Sequence, residues 1–330
     1  MDLPKLAVAA LGGTVCMQAR NAGEGIIPTI SGETLLSAIP ELKTLARVTV
    51  ETLGMLPSAS LDFELLLSVL GWANFQVKQG AVGVVITQGT DTLEETASFF
   101  DYLWPHDIPL VLTGAMRSAA QPGADGPANL LDACRVALAQ NSRQRGVQVV
   151  IGGQIHAACS VRKTDSLALQ AFSSAVTGPA GLVMEDRVRY LRPPRQRKVL
   201  PLPHQTTQKV AMLEASLSAD TLLLDNILAL DYDGLVIAGF GAGHVSQRWA
   251  TVIEYIAEKI PVIIATRTGS GSTAQASYGF AGGEMDLIGK GASMAGFLCP
   301  RKARVLLWLL IGCQRQHKLA SYLDDDNHSL

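Results

Sequence analysis

The sequence predicts an α/β fold with a mostly parallel sheet flanked by helices. Three observations carry that prediction. Short runs that are apolar at every position recur along the chain, each ends in a glycine-rich or polar turn, and a longer amphipathic stretch separates it from the next. A strand apolar on both faces has to be covered on both, which crossover helices on a parallel sheet achieve. At ~150 residues per domain, the 330 residues make about two domains. Hydrophobic residues reach 48% against 17% charged, a balance that excludes a disordered or fibrous chain.

In chain order, strands are expected at 5–11, 46–53, 81–87, 109–113 and 146–151, with helices at 31–39, 61–78, 93–104 and 128–139. From Leu191 to Thr207 proline and basic residues dominate. Proline fixes φ and lacks an amide donor, so this stretch continues neither a helix nor a central strand. It reads as a solvated connector, giving an N-terminal domain at 1–190, a linker at 191–209 and a C-terminal domain at 210–330. Beyond the linker the same rhythm resumes at 210–215, 221–229, 234–238, 249–259 and 262–266, and a last helix is expected at 301–314. The tail 321–330, with Asp324-Asp325-Asp326, reads as frayed.

Charge and cysteine usage narrow the function. Lys and Arg total 27 against 29 acidic residues, a net charge of -2. That leaves no surplus to neutralise a phosphate backbone, so no nucleic-acid partner is expected. Cys16, Cys134, Cys159, Cys299 and Cys313 are scattered with no paired spacing. They read as buried thiols of a cytoplasmic protein, neither a disulfide frame nor a metal site. No apolar run approaches the ~18 residues of a membrane helix, and the opening run is too short and ends too soon in Gly-Gly for a signal peptide.

Ligands of open α/β sheets bind beyond the carboxyl ends of strands. The first strand is followed by Gly12-Gly13-Thr14 and the third by Gln88-Gly89-Thr90-Asp91-Thr92. Glycine there lets a ligand approach the backbone closely. The first turn lacks the later glycine of a dinucleotide loop, and no Gly-Lys-Ser/Thr follows for a phosphate loop. Hydroxyl chemistry remains. A threonine hydroxyl needs a base, and the base needs an orienting group. Lys163, in Arg162-Lys163-Thr164-Asp165, can serve as that base if burial and neighbours hold it neutral. His244 lacks a nucleophile elbow to partner it and reads as an ordinary loop histidine.

Taken in order, Gly12-Gly13-Thr14, Gly89-Thr90-Asp91-Thr92-Leu93-Glu94-Glu95-Thr96-Ala97, Gly114-Ala115-Met116-Arg117, Ala124-Asp125-Gly126-Pro127-Ala128-Asn129-Leu130, Arg162-Lys163-Thr164 and Lys302-Ala303-Arg304 resemble the bacterial L-asparaginase (asparaginase/glutaminase) family from Leu6 to Leu310. The resemblance implies a larger N-terminal and a smaller C-terminal α/β domain, and hydrolysis of asparagine to aspartate and ammonia without a cofactor or metal. It implies Thr14 as the acylated nucleophile and Thr90, Lys163 and Asp91 as a second constellation. By position, Ser58 would bind the substrate α-carboxylate with Ala59 beside it, Asp91 the α-ammonium, and Ala115 the amide. Glu284 would be supplied across a dimer interface, within a homotetramer built from intimate dimers. The partner is thus a small amino-acid amide, with glutamine or another amide, or ligand binding without turnover, as alternatives.

The match has gaps. Many family members carry a tyrosine in the loop after the nucleophile, and residues 16–28 contain none. The corresponding position is Gly25, and Tyr278 or a water held by Glu24 or Glu284 would have to substitute. Ala59, Gln88 and Ala242 stand where a glutamine, a histidine and a partner-supplied asparagine are common. Each removes a polar contact worth ~1.5–3 kcal/mol to a charged ligand end. Cys16 reads as an inert buried thiol.

Overall fold

The computed structural model describes residues 2–18, 27–28 and 31–328. The chain divides into two compact units between Arg195 and Gln196. In the first unit the opening strand β1 (Lys5–Gly12) leads through a 3-10 turn (Thr14–Cys16) to a short ribbon of β2 (Met17–Gln18) and β3 (Ile27–Pro28). There follow α1 (Gly32–Ser37), α2 (Leu42–Leu45), β4 (Arg47–Leu56), α3 (Phe63–Lys78), β5 (Gly83–Thr87), α4 (Leu93–Leu103), β6 (Leu110–Thr113), α5 (Gly126–Leu138) and β7 (Val147–Ile151). Five strands, in the order β4-β1-β5-β6-β7, are parallel.

Local sequence explains these elements. Strands β1, β5, β6 and β7 are buried along essentially their whole length, and each enclosed Leu or Val contributes about 1.5–3 kcal/mol. Helix α3 buries Leu66, Val69, Leu70 and Ala73, the i, i+3, i+4, i+7 spacing of one helical face. Its N-terminus is capped by Asp62, whose carboxylate accepts the Leu65 amide at 2.8 Å. Helix α5 opens at Gly126, two residues before the expected start, because Pro127 suits a first helical turn, where no amide partner is needed. Its Leu130, Ala133, Cys134 and Ala137 pack with Leu6, Val8, Val85 and Val111 of the sheet.

The region after β7 holds strands that the sequence reading does not place. It holds β8 (Gln154–Ala157), a small hairpin of β9 (Arg162–Lys163) and β10 (Phe172–Ser173), then β11 (Gly181–Met184) and β12 (Arg187–Tyr190). Strands β8, β11 and β12 extend the sheet antiparallel, making eight strands. Two-residue turns make this possible. Gly152-Gly153 and Glu185-Asp186 all have positive φ, the twist that tight hairpins require. The second pair lacks glycine, so its turn signal is weak.

The second unit carries β13 (Val210–Glu214), α6 (Leu222–Asn226), β14 (Gly234–Gly239), α7 (Gln247–Ala257), β15 (Val262–Thr266), α8 (Glu284–Gly289), β16 (Ser293–Met294), α9 (Pro300–Gly312) and α10 (Leu319–His328). Its four strands run β13-β14-β15-β16, all parallel. The tail expected to fray is instead the helix α10. Leu319, Tyr322 and Leu323 fall at i, i+3, i+4 and are all buried, so one apolar face anchors it despite three aspartates. The proline-rich stretch is mostly exposed, as expected of a connector, but is fastened at points along it. Arg195 pairs with the buried Asp101 at 2.7 Å, and beyond the division Leu200 and Gln208 are buried in the second unit.

Candidate active site

Parallel register builds the site. Ala10 of β1 lies opposite Thr87 of β5, so the residues that follow, Gly12-Gly13-Thr14 and Gln88-Gly89-Thr90, leave the sheet side by side. Gly13 has φ +81°, and a Cβ there would lie 2.0 Å from the Gly89 amide nitrogen. No other residue fits such an approach. A Cβ at Gly89 would in turn lie 2.7 Å from the Ser58 hydroxyl. Thr14 and Thr90 therefore each follow a glycine of one tight backbone junction, with Ser58 packed on it. Thr14 is half-buried and Thr90 buried.

Lys163 is on β9, in the small hairpin rather than the large sheet. Its Nζ donates to Thr90 Oγ1 at 3.0 Å and to Asp91 Oδ1 at 2.7 Å. The lysine side chain is 15% exposed and the aspartate 68%. The amine thus sits at the inner edge with a hydroxyl to work on, and the carboxylate at the solvent edge orients it. The arrangement joins the Thr90 hydroxyl to the amine through one hydrogen bond, a direct path for a proton between them. The Lys163 main chain is held as well, its amide donating to the buried carboxylate of Glu94 at 2.6 Å.

Ser58 begins a 3-10 turn after β4. Its Oγ accepts the Asp91 amide at 3.2 Å and its carbonyl accepts from Thr92 Oγ1 at 3.0 Å. Because the oxygen already accepts a bond, the hydroxyl proton points elsewhere and is available to an anionic ligand. Ala59, next in the turn, is exposed, and Ala115 is fully buried. The loop bearing Ala115 is tied down by Asp125 and Asn129. Asp125 accepts the amides of Met116 and Arg117 at about 3 Å, while Asn129 donates to the Gly114 carbonyl at 3.0 Å and accepts the Gly152 amide at 2.9 Å. Gln88 donates to the Gly89 carbonyl, bracing the same turn. Burial pushes the Cys16 thiol up to about 11, so it forms no appreciable thiolate at neutral pH.

The remaining expected residues lie in the second unit or outside the described residues. Glu24 and Gly25 are among the latter. Glu284 opens α8 with its side chain fully buried. One carboxylate oxygen accepts the amides of Ser277 and Tyr278, and the other faces His244 Nε2 at 3.3 Å. Burial pushes its carboxyl up, but the Tyr278 and Ser277 amides and then His244 outweigh this and hold it below the ordinary 4.5. In this conformation the carboxylate presents no surface to a ligand. Tyr278 packs edge-on against His244, with ring centroids 4.8 Å apart, and stays half exposed. Ala242 sits two residues before His244 in the turn after β14 and is half-buried.

Known proteins share this pattern over almost the whole chain. The asparaginase N-terminal family model matches residues 5–196, and the glutaminase/asparaginase C-terminal domain model matches 209–321. The chain belongs to the asparaginase family. It is 33% identical to the probable periplasmic L-asparaginase of Haemophilus influenzae, covering 98% of this chain and 93% of that one. It is 28% identical to a glutamyl-tRNA(Gln) amidotransferase component of Methanosarcina acetivorans, over 98% of this chain and 78% of that one. The crystal structure of a probable cytoplasmic L-asparaginase from Campylobacter jejuni superimposes with a TM-score of 0.89 at 29% identity, covering 98% and 99% of the two chains. The protein is an asparaginase-type amidohydrolase. Among its described residues, no helix is long and apolar enough to cross a membrane.

Three residues gain roles that sequence reasoning did not give them. Glu94, Asp125 and Asn129 all fall inside motifs that carry the family resemblance, but their duties are to backbone amides and carbonyls. Motif spacing does not disclose such bonds. The acidic first turn of α4, with Glu94 and Glu95, reads from sequence only as favourable to the helix dipole.

Proposed function

We propose that this asparaginase-family enzyme hydrolyses L-asparagine to L-aspartate and ammonia through an ester on Thr14. The observation that carries the reading is the Lys163 amine, shared between Thr90 Oγ1 and Asp91 Oδ1, on a loop whose glycine abuts the one before Thr14. The Thr14 hydroxyl oxygen attacks the side-chain amide carbon, and its proton passes to the Thr90–Lys163 pair. The C–N bond then breaks as that proton reaches the leaving nitrogen, releasing ammonia. A water, deprotonated by the same pair, attacks the ester and frees aspartate. Splitting a stable amide through an ester exchanges one hard step for two easier ones. Each donor aimed at the developing oxyanion is worth ~3 kcal/mol. Ser58 would take the α-carboxylate, with Ala59 beside it, Asp91 the α-ammonium, and the Ala115 loop the amide.

Two further parts of the reading concern setting. A cytoplasmic location is supported by five cysteines, none of them in a disulfide. A homotetramer is supported by family membership, and light scattering tests it. The decisive experiment is ammonia release from asparagine by the purified enzyme and by Thr14→Ala, with mass spectrometry of a slowly deacylating analogue to locate the ester. Activity surviving in Thr14→Ala, or an ester on Thr90, would overturn the assignment of nucleophile. The match to a glutaminase/asparaginase C-terminal domain model favours a second reading, in which glutamine is the better amide. A several-fold higher kcat/KM for glutamine than for asparagine selects it.

A further inference from the structure

We infer that Glu94 is a positioning residue for the lysine, acting through the main chain rather than on substrate. This rests on the reading of Lys163 as the base of Thr90. The lysine is gripped from two directions by one continuous segment. Thr90 and Asp91, in the loop before α4, take its Nζ at 3.0 and 2.7 Å. Glu94, in the first turn of α4, takes its backbone amide with Oε2 at 2.6 Å. Glu94 is 1% exposed, so this is a charge-assisted bond shielded from bulk solvent.

The need for such a clamp follows from where the lysine comes from. Thr90, Asp91 and Glu94 share one stretch of chain, but Lys163 arrives some seventy residues later on a two-residue strand whose pairing covers only Phe172↔Lys163 and Ser173↔Arg162. So short a hairpin is marginal alone. A lysine side chain is also long, with four rotatable carbon–carbon links to its amine. Fixing the Cα end against α4 removes the hairpin's freedom and leaves the side chain the span needed to meet the Thr90 hydroxyl. Displacing a catalytic group by about 1 Å costs on the order of 10²-fold in rate, so the clamp bears on the chemical step and not on substrate affinity. Ser58 and Asp91, which would hold the ligand's ends, are joined by a bond in which Glu94 takes no part.

The test compares Glu94→Gln, Glu94→Ala and Glu94→Asp with wild type in steady-state ammonia release. Glutamine keeps an acceptor oxygen at the same reach. Glu94→Gln is therefore expected within about fivefold of wild-type kcat, while Glu94→Ala falls roughly 10²-fold with KM changed by no more than about threefold. Glu94→Asp keeps the charge but is one methylene short, and it is expected to lose kcat with Glu94→Ala. Should Glu94→Ala fail to fold, the Gln and Asp variants decide. Gln as impaired as Asp, Asp as active as wild type, or kcat and KM altered together in step with a falling melting temperature would each overturn the inference. Lys163→Met separates the two levels. If it keeps full activity, the base assignment itself is wrong. If it is inactive while Glu94→Ala matches wild type, only the clamp is wrong.

Discussion

The two units use the same architecture and treat their polar groups in opposite ways. Both are built on parallel strands that lead into glycine-bearing turns, with an antiparallel extension in the first unit only. In the first unit, the groups beyond the strand ends have capacity to spare. The Ser58 hydroxyl accepts an amide but retains its proton, Asp91 is largely exposed, and Lys163 bridges inside and outside. In the second unit the corresponding polar groups are consumed internally. Glu284 is fully buried with two amides and His244 upon it, and Asp286 accepts the Gly282 amide and pairs with Lys290. A site needs groups held in place yet incompletely satisfied, whereas a scaffold needs them satisfied. This contrast supports placing the proposed chemistry in the first unit.

The largest test of that contrast is Lys163→Met, expected to lower ammonia release by about 10³-fold as general-base assistance is lost, with circular dichroism unchanged. His244→Phe in the second unit should alter turnover far less. Near-equal losses from the two would erase the contrast. Next comes a matched pair of glycines. Gly13 and Gly269 have almost the same φ, +81° and +83°, but a Cβ at Gly13 meets the Gly89 backbone at 2.0 Å while nothing lies within 4 Å at Gly269. Gly269→Ala should therefore cost about 1 kcal/mol of backbone strain, and Gly13→Ala about 3 kcal/mol or more because clash is added. Urea unfolding of both variants measures this.

A smaller effect is expected at Asn129, which is buried and bridges the Gly114 carbonyl and the Gly152 amide. Asn129→Ala leaves both backbone groups unpaired and should cost about 2 kcal/mol, with KM rising as the Ala115 loop loosens. The smallest effect concerns acid. Glu284 and Asp286 are both held below their ordinary values. In each, burial pushes upward but is outweighed, by the Tyr278 and Ser277 amides for Glu284 and by the Lys290 ammonium and the Gly282 amide for Asp286. A depressed carboxyl contributes stability that is present above its unfolded value and lost as pH falls through the folded one. Protection of the Ser277 and Tyr278 amides from hydrogen exchange should fall below about pH 4.5, and that of the Gly282 amide below about pH 3.8. Glu284→Gln should flatten that dependence at Ser277 and Tyr278, and leave Gly282 unchanged.

Much of this protein is legible in its sequence because the signals are local. Apolar runs such as 6–11, bounded by glycine, read as central strands, and Leu66, Val69, Leu70 and Ala73 mark a helix by spacing alone. Gly13 and Gly89 advertise a close backbone approach before any partner is known. The β11–β12 hairpin escaped because Glu185-Asp186 turns without glycine, and the terminal helix because its three aspartates mask a buried face. What only the folded chain decided is which distant atoms meet. Lys163 reaches Thr90 across 73 positions, and its amide finds Glu94 across 69. Periodicity reports how a residue faces its own element, since that follows from backbone geometry. Encounters between elements depend on strand order and on a two-residue hairpin's placement, and no local pattern encodes those.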